Sequence, residues 1–232
     1  MKLSDIFNHL SYGEFAQLHI GERESNGELC HTKQLKLLSH INAALAELYS
    51  RFTLRRGSFR VTLTDDRTLY YLRPEHAHSN ARSRADKYIE DLEMPLKAPV
   101  KKVLSVSANG SELDLNVPTV CSVHTPSFDI LKVPEALGAT ELEVEYRATP
   151  ELLGEEVLHQ EPEYVDVELP YVYINALGYF IASRVLSAMN GESALAGNSY
   201  LMKFEKACLD LKDHGEDLDE GSVEDIRKNG WV

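Results

Sequence analysis

PYVYINALGYFIASRVLSAMNGESALAG, from Pro170 to Gly197, is the most apolar and aromatic passage of an otherwise polar, acidic chain. Pro170 suits a first helical turn, and Asn190 with Gly191 forms a C-terminal stop. Between them, apolar residues recur at helical spacing: Ile174, Leu177, Phe180 or Ile181, and Val185 or Met189. The stretch therefore predicts a helix that ends before a turn.

A second helix is predicted after that turn. The same period resumes in the following apolar positions: Tyr200, Leu201, Phe204, Cys208 and Leu211. The two helices should fold back as an antiparallel hairpin, and small residues near the turn, Ala194, Ala196 and Gly197, permit close approach. A membrane span is disfavoured, because it needs about 20 residues with few polar groups, whereas Asn175 and Arg184 interrupt this stretch.

The N-terminal region offers matching helices. Ser4 and Asp5 begin a short helix that carries Ile6, Phe7 and Leu10, and the spacing of Ser11 and Glu14 is that of a capping box. That box restarts the helix through Phe15 and Leu18, and Gly21 ends it. A longer helix follows, and its apolar stripe has helical period: Leu35, Leu38, Ile41, Leu45, Leu48 and Phe52.

Between these helices the pattern alternates as in strands. Phe59, Val61 and Leu63 alternate with polar neighbours, as do Leu142, Val144 and Tyr146. Further runs predict strands: Thr68–Leu72, Phe128–Val133, and a hairpin turning at Asn109–Gly110. These strands predict a small antiparallel sandwich or barrel. The segments His76–Asp86 and Glu151–Glu163 are interpreted as exposed loop or linker.

The predicted fold class is α+β. Residues 1–52 and 166–213 are expected to form a discontinuous four-helix bundle, because neither helix pair can bury its apolar faces alone. Residues 53–165 are expected to form an inserted β domain with an acidic linker. Residues 214–232 are expected to form a flexible acidic tail with a terminal Trp anchor.

The composition of the chain restricts the classes of function that are possible. The net charge of -13 and the pI near 5.1 disfavour a sequence-reading nucleic-acid binder, which needs a basic face. Three separated cysteines without a CxxC pair, Cys30, Cys121 and Cys208, indicate reduced thiols in a cytoplasmic setting. Asp5 and His9 interrupt any signal-peptide core.

Five segments carry a family resemblance: LSDIFNHLSYGE (Leu3–Glu14), LSHINAALAELYSRF (Leu38–Phe52), TLYYL (Thr68–Leu72), YFIASRVLSAMNGES (Tyr179–Ser193) and SYLMKFEKACLDL (Ser199–Leu211). Together they resemble the head-to-tail adaptor (connector) proteins of short-tailed bacteriophages, the tail tubular protein A type.

The resemblance implies a virion structural protein with a helical bundle and a β domain. It implies a homo-oligomeric ring on the portal protein, following the portal's twelvefold symmetry. Such a ring extends the DNA channel and offers a docking platform for the tail nozzle or another tail protein. The expected location is the head-tail junction of the virion, after assembly in the host cytoplasm.

The acidity has two interpretations. Repeated in a ring, a charge of -13 per chain would keep passing double-stranded DNA from sticking, without sequence-specific binding. Alternatively, it only aids solubility. Two other functions stay open: another phage tail or baseplate adaptor, and a metal-dependent hydrolase.

The hydrolase alternative depends on Glu75, His76 and His78, an E-H-x-H group without a third ligand at a recognisable spacing. A solvated loop is the favoured interpretation. No nucleophile elbow or phosphate-binding loop is present. We therefore expect no catalytic residues, no cofactor, no bound metal and no enzymatic activity.

Two groups of residues are candidate partner-binding sites. The first is basic: Arg51, Arg55, Arg56 and Arg60. It suits either a helix C-terminus or an acidic surface of a ring neighbour or portal. The second lies in the tail: Ile226, Arg227, Lys228 and Trp231. A lone Trp in such a position is either a chance occurrence in a disordered segment or, beside two cations, a peptide anchor. The resemblance favours the anchor, because the resembling adaptors use terminal segments to bind the portal or each other.

Overall fold

The computed structural model describes residues 1–12, 15, 31–187 and 192–213. Within them lie four α-helices: α1 (Leu3–Ser11), α2 (His31–Arg51), α3 (Ile174–Ser187) and α4 (Glu192–Asp213). The same residues contain eight strands: β1 (Arg56–Thr62), β2 (Leu69–Tyr71), β3 (Ile89–Asp91), β4 (Lys102–Ala108), β5 (Ser111–Glu112), β6 (His124–Ser127), β7 (Ile130–Lys132) and β8 (Glu141–Arg147). The predicted α+β class is confirmed.

The strands form two antiparallel sheets. The five-stranded sheet has the order β3-β1-β8-β4-β5, and the three-stranded sheet has the order β2-β7-β6. Neither closes into a barrel in the described residues, so the barrel alternative is not observed. By its contacts the chain divides into two compact units. The helical unit comprises Met1–Leu54 and the residues from Leu152 onward, and the β unit comprises Arg55–Glu151.

The helical unit has one hydrophobic core to which all four helices contribute. Its buried side chains include these: Leu3, Ile6 and Leu10 of α1; Ile41, Leu45 and Leu48 of α2; Leu177, Ile181 and Ala182 of α3; Phe204 and Cys208 of α4. The predicted stripes are therefore the buried faces, except that Leu201 lies at the edge of the α4 stripe and is 42% exposed, so its prediction as a core residue is wrong. The first residues join this core through backbone pairing, because the Met1 amino group donates to the carbonyls of Val167 and Leu169, at 3.0 Å each.

Helix α1 begins one residue before the predicted start. The carboxylate of Asp5 accepts a hydrogen bond from the Lys2 backbone N–H at 2.8 Å, which satisfies a donor at the helix start. The helix ends at Ser11, and the Tyr12 N–H still donates to Asn8. The predicted restart at Glu14, its continuation to Leu18 and its end at Gly21 lie outside the described residues.

Helices α3 and α4 form the predicted hairpin. The α-helix begins at Ile174 rather than Pro170, because Tyr171–Tyr173 form a 3₁₀ turn first. The predicted stop at Asn190–Gly191 lies outside the described residues. Close approach is confirmed at Gly197, where a Cβ would lie 2.6 Å from Ser187 Oγ and 2.9 Å from Ser187 N.

The β unit follows the predicted alternation. Phe59 and Val61 of β1 are buried, as are Leu142, Val144 and Tyr146 of β8. The hairpin between β4 and β5 turns at Asn109 and Gly110, whose φ values of 52° and 78° are those of a type I′ turn. Strands β3 and β6 were not predicted, because each is short and lacks a clear alternating run.

Residues 151–163, interpreted from sequence as an exposed linker, include a segment held to α2. The Asn42 side-chain amide donates to the Leu153 carbonyl at 2.9 Å, and its oxygen accepts the Leu153 N–H at 2.9 Å. A 3₁₀ helix follows at Glu155–His159, and Leu153 and Val157 pack against the helical core. The acidic composition obscured these two apolar contacts.

Candidate partner-binding surfaces

His76 is part of an aromatic stack in the β unit. Its ring lies 4.6 Å from the Tyr88 ring and 6.2 Å from the Tyr71 ring, nearly parallel to both. Its Nδ1 lies 2.9 Å from the Asp86 carbonyl. Only 14% of the side chain is exposed, so the solvated-loop interpretation is wrong at this residue. His78 is exposed, and its backbone N–H donates to Ile89.

Two arginines extend this stack into what we call the aromatic column: Arg67, Tyr88, His76, Tyr71 and Arg73. The Arg67 guanidinium lies 4.9 Å from the Tyr88 ring centre, and that of Arg73 lies 5.2 Å from the Tyr71 ring centre. The Tyr88 hydroxyl also accepts from the Tyr71 N–H and donates to the Tyr71 carbonyl. Burial raises the pKa of Tyr88, so it keeps this proton. The column therefore fastens β2 to the segment before β3.

Acidic partners fix both arginines of the column. Arg67 pairs with Asp86 at 2.9 Å, and Arg73 pairs with Asp129 at 2.6 Å. The Asp129 side chain is only 6% exposed. Burial acts to raise the pKa of Asp129, but hydrogen bonding and attraction to Arg73 outweigh it and lower the pKa. No group of three or more His, Cys, Asp or Glu side chains in the described residues is arranged to hold a metal ion.

The four candidate arginines do not have a common environment. Arg51 belongs to the helical unit, whereas Arg55, Arg56 and Arg60 belong to the β unit. Arg55 Nη2 lies 3.6 Å from the sulfur of Met94. Arg56 is paired in register with Arg147, which is paired with Lys102, so it belongs to a row of cations across three strands. The prediction that these residues form a partner interface stays a prediction.

Arg51 joins α2 to α4. Its two terminal nitrogens contact both carboxylate oxygens of Glu205, at 2.5 and 2.8 Å, and its Nε contacts Glu47 at 2.7 Å. Its guanidinium also lies 4.7 Å from the ring centre of Phe204. Hydrogen bonding to Glu205 raises the pKa of Arg51 despite the opposing effect of burial. This arginine is thus committed to an intramolecular contact.

Arg60 is surrounded by carboxylates on the outer face of the five-stranded sheet. It lies 3.1 Å from Glu143, 3.4 Å from Glu90 and 3.4 Å from Glu141. Hydrogen bonding to Glu143 raises the pKa of Arg60. A partner that binds here would contact both the positive charge of Arg60 and the negative charges of the three carboxylates around it. The tail candidates, Ile226, Arg227, Lys228 and Trp231, lie outside the described residues.

Helix α4 presents an apolar line that the sequence interpretation did not use. We call it the α4 ridge: Leu195, Met202 and Leu209, which are 71%, 75% and 61% exposed. Seven residues are close to two helical turns, so the three lie in one line, opposite buried Phe204 and Cys208. The seven-residue spacing is visible in the sequence and could have identified the ridge.

A second exposed apolar surface lies on a loop in the β unit, residues 116–121. Val117 and Val120 are 40% and 81% exposed, and Pro118 between them is exposed too. The loop is internally bonded: buried Ser122 accepts the Val117 N–H, and Asn116 side-chain atoms bond Thr125 at 2.8 and 2.9 Å. Apolar residues are thus held outward by a fixed backbone.

Comparison of the sequence with protein-family models gives no match, and comparison with curated proteins gives none either. Among the described residues, none of the helices is both long enough and apolar enough to span a membrane. Of the described cysteines, Cys121 is exposed and Cys208 is buried, and both are free thiols.

Proposed function

We propose that this chain is a virion structural protein, the head-to-tail adaptor of a short-tailed bacteriophage. It forms a ring on the portal protein, extends the DNA channel and provides the docking platform for the next tail component. The observation that carries the proposal is where the resembling segments lie. Four of the five contribute helices to a single core, although they come from opposite ends of the chain.

We further propose that these four helices form a bundle and that the two sheets of the inserted unit form a sandwich. The shared core of α1 to α4 supports the bundle. A separate buried cluster supports the sandwich, because it draws on both sheets, from Phe59 and Val144 in the larger to Tyr70 and Leu131 in the smaller. A subunit with two compact units can contact the portal through one unit and the next tail component through the other.

The proposed role is non-catalytic. One of the two histidines on which the hydrolase alternative depends, His76, packs between two tyrosine rings, and its Nδ1 lies within hydrogen-bond distance of a backbone carbonyl. Such an environment supports a packing role in the aromatic column. We therefore favour assembly over hydrolysis as the function of the β unit.

The charge of -13 supports a role along the DNA path. A ring of such subunits carries a large field of one sign, which disfavours phosphate contacts that would hold the genome. We propose that DNA passes through without sequence-specific binding and that the ring assembles in the host cytoplasm before joining the virion.

The test is to mix the purified chain with the portal protein of the same phage and measure the mass of the product. The proposal predicts a complex that carries a ring of copies of this chain. A mutant portal that cannot form its own ring is the control for nonspecific adhesion. If the intact portal keeps its own mass at all chain concentrations, the adaptor function is refuted.

A further inference from the structure

The α4 ridge is too narrow to pair with another helix of the same kind. A two-helix seam needs two apolar positions in each heptad, whereas the ridge supplies one. The residues three or four positions from Met202 on the same side of the helix are Asn198, Ser199, Glu205 and Lys206, all polar and exposed. A narrow apolar line with polar flanks fits a slender occupant, such as the tip of a loop.

The 116–121 loop has the complementary shape. Its internal hydrogen bonds fix the backbone, so little conformational entropy is lost when Val117, Pro118 and Val120 are buried against a partner. Because the loop is rigid, its apolar tip cannot be buried by folding onto its own chain. Burial against another molecule is therefore favoured.

The charges around the two surfaces are opposite in sign. Residues 103–123, which include the loop, contain no Lys or Arg, and they contain two exposed acids, Glu112 and Asp114. These acidic residues near the loop favour a partner surface that carries basic residues.

Basic residues of this kind lie beside the α4 ridge. Lys203 and Lys206 flank Met202, and the carboxylate of Glu205 on the other flank is engaged by Arg51. Asp210 is a further acid, but it lies eight residues from Met202, more than two helical turns away, so the two lysines are nearer to Met202. In a chain with a net charge of -13, this is a locally basic strip.

We propose that the 116–121 loop of one copy packs on the α4 ridge of the next copy, an inference that rests on the proposed ring. The contact uses two different surfaces of the same chain. Such a head-to-tail contact repeats from copy to copy and closes into a ring when the rotation permits. Val120 and Met202 are the central side chains, because they are the most exposed of their surfaces.

The test uses Met202→Glu and Val120→Asp, both at exposed positions where substitutions have little effect on folding. Self-association of the full chain is measured by sedimentation, alone and bound to the portal. Each variant is expected to associate at least about tenfold more weakly. An equimolar mixture should form dimers and nothing larger, because only one intact loop and one intact ridge can meet. Matched controls are Tyr164→Glu and Phe128→Asp, which charge other exposed aromatic positions.

Several results would overturn the inference. If Met202→Glu alone prevents association, the ridge has another occupant, and loss of association on deleting residues 214–232 would identify that occupant as the tail. If neither variant alters association, or the chain stays monomeric both alone and on the portal, no such contact exists. Failure of the proposed function looks different: wild-type chains then assemble through loop and ridge without binding the portal.

Discussion

Replacing Arg51 with Ala should loosen α4 from α2. The lost contacts are a two-point contact with Glu205, a contact with Glu47 and the packing of the guanidinium on Phe204. The Arg51 and Glu205 side chains are 29% and 48% exposed, so solvent screens the pair. Partly exposed ion pairs contribute about 0.2–1 kcal/mol and a cation over an aromatic ring about 0.5–1 kcal/mol. We therefore expect Arg51→Ala to lower the free energy of unfolding by about 1–2 kcal/mol.

The assay is urea unfolding followed by far-ultraviolet circular dichroism, which reports mainly on the helical unit. A double-mutant cycle with Glu205→Gln isolates the pair, and its coupling energy should be about 0.5–1 kcal/mol and fall at high salt. Lys36→Ala, at an exposed position of the same helix, is the control and should leave stability unchanged. A coupling energy of zero, or an Arg51→Ala variant as stable as the wild type, would refute the assignment and return Arg51 to the candidate partner surface.

Two further predictions concern packing. Gly197→Ala should destabilise the helical unit by about 1–3 kcal/mol, although Ala normally stabilises a helix, because its Cβ would overlap Ser187. The control is Ser199→Ala, at an exposed position of α4. A melting temperature raised by Gly197→Ala would contradict the close packing. His76→Ala should destabilise the β unit by about 1–3 kcal/mol through two lost ring contacts, whereas His78→Ala should change stability by less than about 0.5 kcal/mol. Zinc that copurifies with the wild type and is lost from both variants would favour the hydrolase alternative instead.

The periodic parts of the fold were predictable from sequence. Helix α2 and strand β8 each bury one face. Burial of one face places apolar residues at the period of that element, as in the stripe from Leu38 to Phe52, so the sequence spacing predicts it. The turn at Asn109–Gly110 was predictable for a different reason, since few residue pairs tolerate two positive φ angles.

The environment of single polar residues was not predictable. Nothing local in the sequence indicates that His76 stacks on Tyr88, because the ring contact depends on the parallel bridge between Ala77 and Ile89. Similarly, the basic group looked continuous along the chain, yet Glu205, the partner of Arg51, lies 154 residues away. Long-range pairs of this kind are decided by tertiary packing and leave no local pattern.

Electron microscopy of the chain mixed with its portal distinguishes an adaptor from a protein without this role. If the chain is the adaptor, the images should show a ring of this chain, coaxial with the portal and continuous with its channel, with one copy for each portal subunit. Particles in which the portal stands alone, or in which the chain binds as scattered monomers away from the channel axis, would contradict the adaptor function.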